Sequence, residues 1–137
     1  MIGLKDSSKN IVYLSEVLFN LPKNFIVLVG SDALVFPGIL LGCKGVISAI
    51  SNIFPELLIK LYKKLNTEDL SETRDIQSKI LRARIILRKY PYISVYKTVL
   101  QLRKININDV VKSPLHKMND KEKSNLFNEL RNLGLLS

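Results

Sequence analysis

Lys5 is the side chain of this sequence with the clearest capacity for chemistry. It closes the apolar run Met1-Ile2-Gly3-Leu4 and is followed by Asp6-Ser7-Ser8. A lysine at the carboxyl end of a buried strand is placed to attack a carbonyl as an amine nucleophile. The attack needs the neutral amine, which desolvation favours and a neighbouring carboxylate such as Asp6 opposes. The local sequence therefore leaves two readings open, a solvated strand-end lysine and a catalytic one. Other reactive side chains are scarce. Cys43 is the only cysteine and His116 the only histidine, so neither an intrachain disulfide nor a Cys/His zinc site is available. Both are expected to be ordinary structural or surface residues.

The elements that must position Lys5 alternate over the first 66 residues. Met1 to Leu4 reads as a short strand. Asn10 can cap a helix whose apolar stripe is Ile11, Leu14, Leu18 and Leu21, and Pro22 with Asn24 breaks it. Phe25 to Val29 is an unbroken β-rich run, the pattern of a strand buried on both faces. Gly30-Ser31-Asp32 turns the chain into a helix over Ala33 to Leu41. Pro37 is its kink or early-turn residue, and Gly42 ends it. Gly45 to Ser48 is a third strand. Pro55 fits the first turn of a helix striped by Leu58, Leu61, Tyr62 and Leu65. Strand–helix repetition with short connections implies parallel strands and right-handed crossovers. Ligands of such folds lie at the carboxyl ends of the strands, where Lys5, Gly30 and Ser48 all fall.

From about residue 68 the pattern is helical. Asp69 with Glu72 resembles a capping box, followed by the stripe Ile76, Ile80, Ala83 and Leu87, which Pro91 stops. Ile93 to Lys104 reads as a further helix and residues 105–118 as a loop. Asn119 with Glu122 is a second capping box, and Gly134 ends the last helix.

The chain has 137 residues, 47% of them hydrophobic and 24% charged, enough for one folded domain with a real core. The N-terminus lacks the basic region of a signal peptide. The most apolar stretch, Ala33 to Cys43, is too short to span a bilayer, so the cytoplasm is the expected compartment and no membrane partner is expected. A net charge of +9 raises the question of nucleic acid. Lys79, Arg82, Arg84, Arg88 and Lys89, then Arg103 and Lys104, lie among helical apolar positions with no recognition motif. They read as a solvated helix face, and no nucleic-acid partner is expected.

Four stretches in order and register carry a resemblance: Gly3-Leu4-Lys5-Asp6-Ser7-Ser8, Val29-Gly30-Ser31-Asp32-Ala33, Gly45-Val46-Ile47-Ser48-Ala49 and Asn52-Ile53-Phe54-Pro55-Glu56. Together with the tail from Ser113 to Leu136 they resemble the C-terminal half of the dihydrodipicolinate synthase / N-acetylneuraminate lyase family. Its members are (β/α)8 barrels that act on pyruvate or related 2-oxo acids through a lysine Schiff base. The resemblance implies an α/β fold. Residues 1–67 would be a barrel segment matching strands six to eight, and residues 68–137 a C-terminal helical extension. It also implies that Lys5 is the Schiff-base lysine. Ile47 would line the pyruvate pocket through its backbone, Gly30 would let the chain pass close to the 2-oxo acid, and Asp32 would contact the distal part of the substrate. No cofactor or metal is implied. The bare residues also admit plainer roles: a turn for Gly30, a helix cap for Asp32 and core for Ile47.

A full barrel needs about 250 residues and eight strands. The family's Thr-Thr-Gly-Glu-like turn, which binds the substrate carboxylate, and its proton-shuttling tyrosine have no counterpart here; Tyr13 and Tyr62 read as helix-face residues. Three strands cannot close a barrel. A truncated reading frame, a split gene or a cut-down chain is therefore expected, with a homo-oligomer or a complementary N-terminal half completing the pocket. The expected activity is a lyase or aldolase of 2-oxo acids, such as 2-keto-3-deoxy sugar acids. The alternatives are dihydrodipicolinate synthase, acting on pyruvate and aspartate semialdehyde, and a non-catalytic remnant serving as an assembly subunit. Against the synthase stand Ser48-Ala49-Ile50-Ser51-Asn52 and Tyr92-Ile93-Ser94-Val95-Tyr96-Lys97, which depart from its usual Ser-Val-x-Ala-Asn and Asn-Pro-Ile-Pro-Val-Lys.

Overall fold

The computed structural model describes residues 2–65 and 70–137. Three parallel strands, β1 (Gly3–Asp6), β2 (Ile26–Val29) and β3 (Gly45–Val46), form one sheet in that order. The register pairs Lys5 with Leu28, and Leu28 with Gly45. Helices α1 (Ile11–Asn20) and α2 (Val35–Leu41) make the crossovers. Then come α3 (Pro55–Leu65), α4 (Leu70–Leu87), α5 (Ser94–Leu102) and α6 (Asp120–Asn132).

The helix boundaries follow local chemistry. The Asn10 side chain accepts hydrogen bonds from the amides of Val12 and Tyr13. Gly42 ends α2 in the left-handed region, φ 118°, which a residue without a Cβ adopts at no steric cost. The Asn119–Glu122 capping box is complete: the Glu122 amide donates to Asn119 Oδ1 (2.9 Å) and the Asn119 amide to Glu122 Oε2 (2.8 Å). Asn119→Ala should lower stability by about 1 kcal/mol, read as a lower urea midpoint. Of the other expected capping pair, Asp69 lies outside the described residues.

Both strands of the first pair differ from expectation. The first strand starts later than Met1–Leu4 and runs through Lys5 and Asp6, because pairing with β2 continues to Asp6↔Val29. Polar side chains are tolerated there: Asp6, though buried, accepts the amide (3.0 Å) and hydroxyl (3.1 Å) of Ser8. Second, β2 is not buried on both faces. Val27 and Val29 are buried beneath α1 and α2, with Leu14 and Cys43, whereas Ile26 is 43% exposed on the opposite face. The helices cover one face of the sheet only. Burial pushes the Cys43 thiol above its ordinary pKa, and the Asp6 carboxylate adds to the shift.

The larger core lies beside the sheet. Phe54, Leu61, Ile80, Val99, Leu126 and Leu130 are fully buried in it and draw together α3, α4, α5 and α6. Arg103 roofs this core. Its guanidinium carbon sits 5.2 Å from the Phe54 ring centre, and it donates to the Ile53 carbonyl and pairs with Glu56 (3.0 Å). Helix α5 begins at Ser94, one residue later than expected, because Ile93 has φ 68° and cannot be helical. Among the described residues no helix is long and apolar enough to cross a membrane, and no His/Cys/Asp/Glu group has a metal-binding arrangement.

Candidate active site

The sheet's two faces alternate along each strand, and Lys5 stands on the uncovered one. Leu28 and Gly45 share that face by register, and Ile47, just past β3, is 47% exposed. Lys5 is exposed rather than buried. Among the described residues no helix buries the strand end that the sequence suggested would be enclosed.

Gly30 follows β2 directly and fixes where Lys5 can lie. A Cβ built on Gly30 would come within 2.7 Å of both Lys5 Cε and the Asp6 carbonyl oxygen, and closer still to Ser7 Oγ. The Gly30 amide donates to that same carbonyl at 2.6 Å. Only glycine allows the lysine stem and the ends of two strands to meet here.

Asp32 opens the 3-10 turn that precedes α2 and is buried. Its carboxylate does not cap the following helix; it accepts the hydroxyl of Ser48, which lies just past β3. Ser48 Oγ also accepts the Ser51 amide (3.1 Å), so the two strand-end loops are tied together. A third element holds this arrangement. Gln77 of α4 donates to the Asp32 carbonyl (2.9 Å), and its own oxygen accepts the Phe36 amide (2.9 Å). The Ile47 amide donates to the Val29 carbonyl (2.8 Å), extending the ladder past β3.

Beyond Gly30 opens a cavity of about 390 Å³, lined by Lys9, Ser31, Asp32, Arg84, Arg88 and Tyr96 among others. Tyr96 meets Tyr92 edge to face, their ring centres 5.8 Å apart. Burial, then the Asp32 and Tyr92 charges, push the Tyr96 hydroxyl up to about 12, with Arg84 opposing. Lys5, Gly30, Asp32 and Ser48 are therefore gathered at the carboxyl ends of the strands.

The profile described as Dihydrodipicolinate synthetase family matches residues 1–133. The chain belongs to that family. An uncharacterised DapA-like lyase of Halobacterium salinarum is 35% identical over 136 residues, covering 99% of this chain and 44% of the relative. A 4-hydroxy-tetrahydrodipicolinate synthase of Chlorobium phaeobacteroides is 31% identical over 137 residues, covering 98% and 45%. Among solved structures, an Escherichia coli prophage protein of the dihydrodipicolinic acid synthase family, in complex with pyruvate, superposes with a TM-score of 0.90. It is 25% identical, with 98% of this chain and 47% of that one covered. The chain thus spans less than half the length of the family members it matches.

Within the dihydrodipicolinate synthetase family frame, sequence reasoning missed Gln77 and placed Ser48 at the site without its bond to Asp32. Gln77 sits in a helical stretch where only the apolar stripe was informative. Ser48 stood out only as a strand-end residue. Nothing in the spacing announces a partner for Gln77 41 or 45 residues away, as its bonds require. Arg84 and Arg88, read as a solvated helix face, line the cavity instead.

Proposed function

We propose that this chain carries the imine-forming portion of a Schiff-base lyase acting on pyruvate or a related 2-oxo acid, with Lys5 as the nucleophile. The observation that carries this reading is the packing of the Lys5 stem against Gly30, on the open sheet face at the strand ends. In its neutral form, the Lys5 amine adds to the C2 carbonyl of the 2-oxo acid. A proton passes from nitrogen to oxygen, a second proton taken up from a general acid or solvent lets that oxygen leave as water, and a protonated imine remains. That cation accepts the electron pair of a C3 bond as it breaks, giving an enamine. In the reverse direction the enamine attacks an aldehyde. The imine itself is the electron sink, so the chemistry calls for no metal or organic cofactor.

In this reading β1, β2 and β3 take the places of barrel strands six to eight. Residues 1–67 form the barrel segment and residues 68–137 its helical extension. The uncovered face would then be the barrel interior. Ile47 presents its carbonyl to the bound 2-oxo acid, Gly30 gives it room, and Asp32 with Ser48 meets the hydroxyls of the distal chain. The group that binds the substrate carboxylate and the proton shuttle come from the complementary half of a barrel or from an oligomeric neighbour. A cytoplasmic setting fits a metabolite substrate of this kind.

The preferred substrates are 2-keto-3-deoxy sugar acids, because the cavity next to Gly30 offers Ser31, Asp32 and tyrosine hydroxyls to the far part of a hydroxylated chain. A second reading, condensation of pyruvate with aspartate semialdehyde, is favoured by the name of the Chlorobium relative. The test common to both is exchange of the pyruvate methyl protons in deuterium oxide, followed by proton NMR. The expected result is loss of the methyl signal with the intact chain and not with Lys5→Ala, solvent water carrying the C3 proton of the imine in place of the shuttle. Equal rates in both, with both folded, would overturn the reading. Pyruvate release from 2-keto-3-deoxygluconate, against consumption of aspartate semialdehyde, then separates the two substrate classes.

A further inference from the structure

Gln77 is a buried amide in apolar surroundings. It follows Ile76 on α4, whose stripe of Ile76, Ile80, Ala83 and Leu87 packs into the larger core, and it is itself only 9% exposed. Burying an amide is unfavourable unless its polar atoms find partners. Here both do, and both partners lie on one segment. Gln77 Nε2 donates to the Asp32 carbonyl and Gln77 Oε1 accepts the Phe36 amide, each at 2.9 Å. A carboxylate lacks the donor for this grip, an ammonium or guanidinium lacks the acceptor, and an aliphatic chain lacks both.

The gripped segment has few local devices of its own. Ser31, which precedes the 3-10 turn, makes no side-chain cap, and the turn closes through the Leu34 amide on the Ser31 carbonyl (2.9 Å). Helix α2 likewise starts without a side-chain cap from Leu34, its N-cap residue. The Phe36 amide belongs to the first turn of α2, where backbone donors have no partner within the helix. Gln77 supplies that partner from 41 residues away. The same segment joins the strand ends. Gly30 abuts the Lys5 stem and donates its amide to the Asp6 carbonyl of β1 (2.6 Å). Asp32 accepts the Ser48 hydroxyl from beyond β3. One side chain of the helical extension therefore anchors the segment against which Lys5 packs.

We propose that Gln77 is a positioning residue for imine formation. By holding the Asp32 carbonyl and the Phe36 amide, it fixes the turn after β2 so that Gly30 keeps Lys5 aimed at the carbonyl carbon of the 2-oxo acid. The helical extension is then part of the machinery of the reaction as well as its support. Gln77 touches no substrate; it acts through the backbone between Gly30 and Phe36. The proposal rests on the Schiff-base reading for the role of Lys5.

The experiment is cyanoborohydride trapping of pyruvate on the intact chain, with reductant in excess so that imine formation sets the rate of labelling at Lys5. Gln77→Met removes both bonds and keeps a similar volume. The expected result is a rate at saturating pyruvate at least about tenfold lower per folded molecule, because the reacting amine is misplaced. The half-saturating concentration should change little, because the group that binds the pyruvate carboxylate lies elsewhere. Gln77→Glu keeps the acceptor for the Phe36 amide, loses the donor to the Asp32 carbonyl, and should be slowed as well. Ser48→Ala loosens the same turn from its other side. Combined with Gln77→Met, it should slow labelling by less than the product of the separate effects, as residues acting through one element do.

Thermal melts give the folded fraction. A labelling rate per folded molecule equal to that of the unaltered chain, with only the melting temperature lowered, would overturn the proposal and leave the lyase reading intact. Separate effects that simply multiply would overturn it too. Where the unaltered chain traps no pyruvate, the lyase reading fails, and hydrogen exchange decides the anchor alone. A Gly30 amide that exchanges faster in Gln77→Met, while the amides of α6 do not, would retain the anchor. An unchanged Gly30 amide would reject it.

Discussion

Gly30→Ala is expected to slow imine formation with pyruvate by roughly a hundredfold, the scale reached when a reacting group is misplaced by about 1 Å. The added methyl would sit 2.7 Å from the Asp6 carbonyl oxygen and 2.7 Å from Lys5 Cε. The lysine stem can swing aside, but the carbonyl belongs to a paired strand and already accepts the Gly30 amide at 2.6 Å. Relief therefore requires β1 and β2 to part at the point where Lys5 is aimed. Overpacking of this kind also costs about 1–3 kcal/mol of stability. Labelling rates at saturating pyruvate, compared at matched folded fraction, check the result. Ser7→Gly should recover part of the loss, because Ser7 Oγ is the other atom in the methyl's way.

Phe54→Ala is expected to have the largest effect on folding, a loss of about 3–5 kcal/mol. The ring is fully buried in the core shared by α3, α4, α5 and α6, directly before Pro55 starts α3. Its removal leaves a cavity and takes away the surface beneath the Arg103 guanidinium. Arg103 also holds the Ile53 carbonyl and Glu56, so the entrance to α3 loosens as well. Urea unfolding checks the magnitude. Phe54→Leu, which fills more of the volume, should lose markedly less.

These two sites show what could be read before folding and what could not. Local devices were legible because they lie within a few residues of each other. The Asn10 and Asn119 caps, the Gly42 terminator and the Ile76, Ile80, Ala83, Leu87 stripe all stand where their spacing puts them. The placement of Lys5 and Gly30 was suggested by strand ends and by family resemblance. Their packing against each other depends on the β1–β2 register, which no local pattern specifies. The open face of β2 was misread for a related reason. An unbroken apolar run signals that both faces want cover, and this chain supplies cover for one. Ile26 and Ile47 remain exposed as a result. The cavity was hidden more completely. It forms where the end of α4 folds back onto the turn at Gly30, more than 50 residues earlier in the chain. In sequence, Arg84 and Arg88 look like any solvated basic pair.

Imine formation at Lys5 is the step on which the proposed activity depends. The most direct measurement is reduction with borohydride in the presence of pyruvate, read by intact mass and then by peptide mapping. Reduction converts the imine to a stable secondary amine, so one pyruvate-derived group should appear on the peptide containing Lys5 and be absent from Lys5→Ala. A folded chain that remains unlabelled, or a label found on another lysine, would contradict the assignment of Lys5 as the nucleophile.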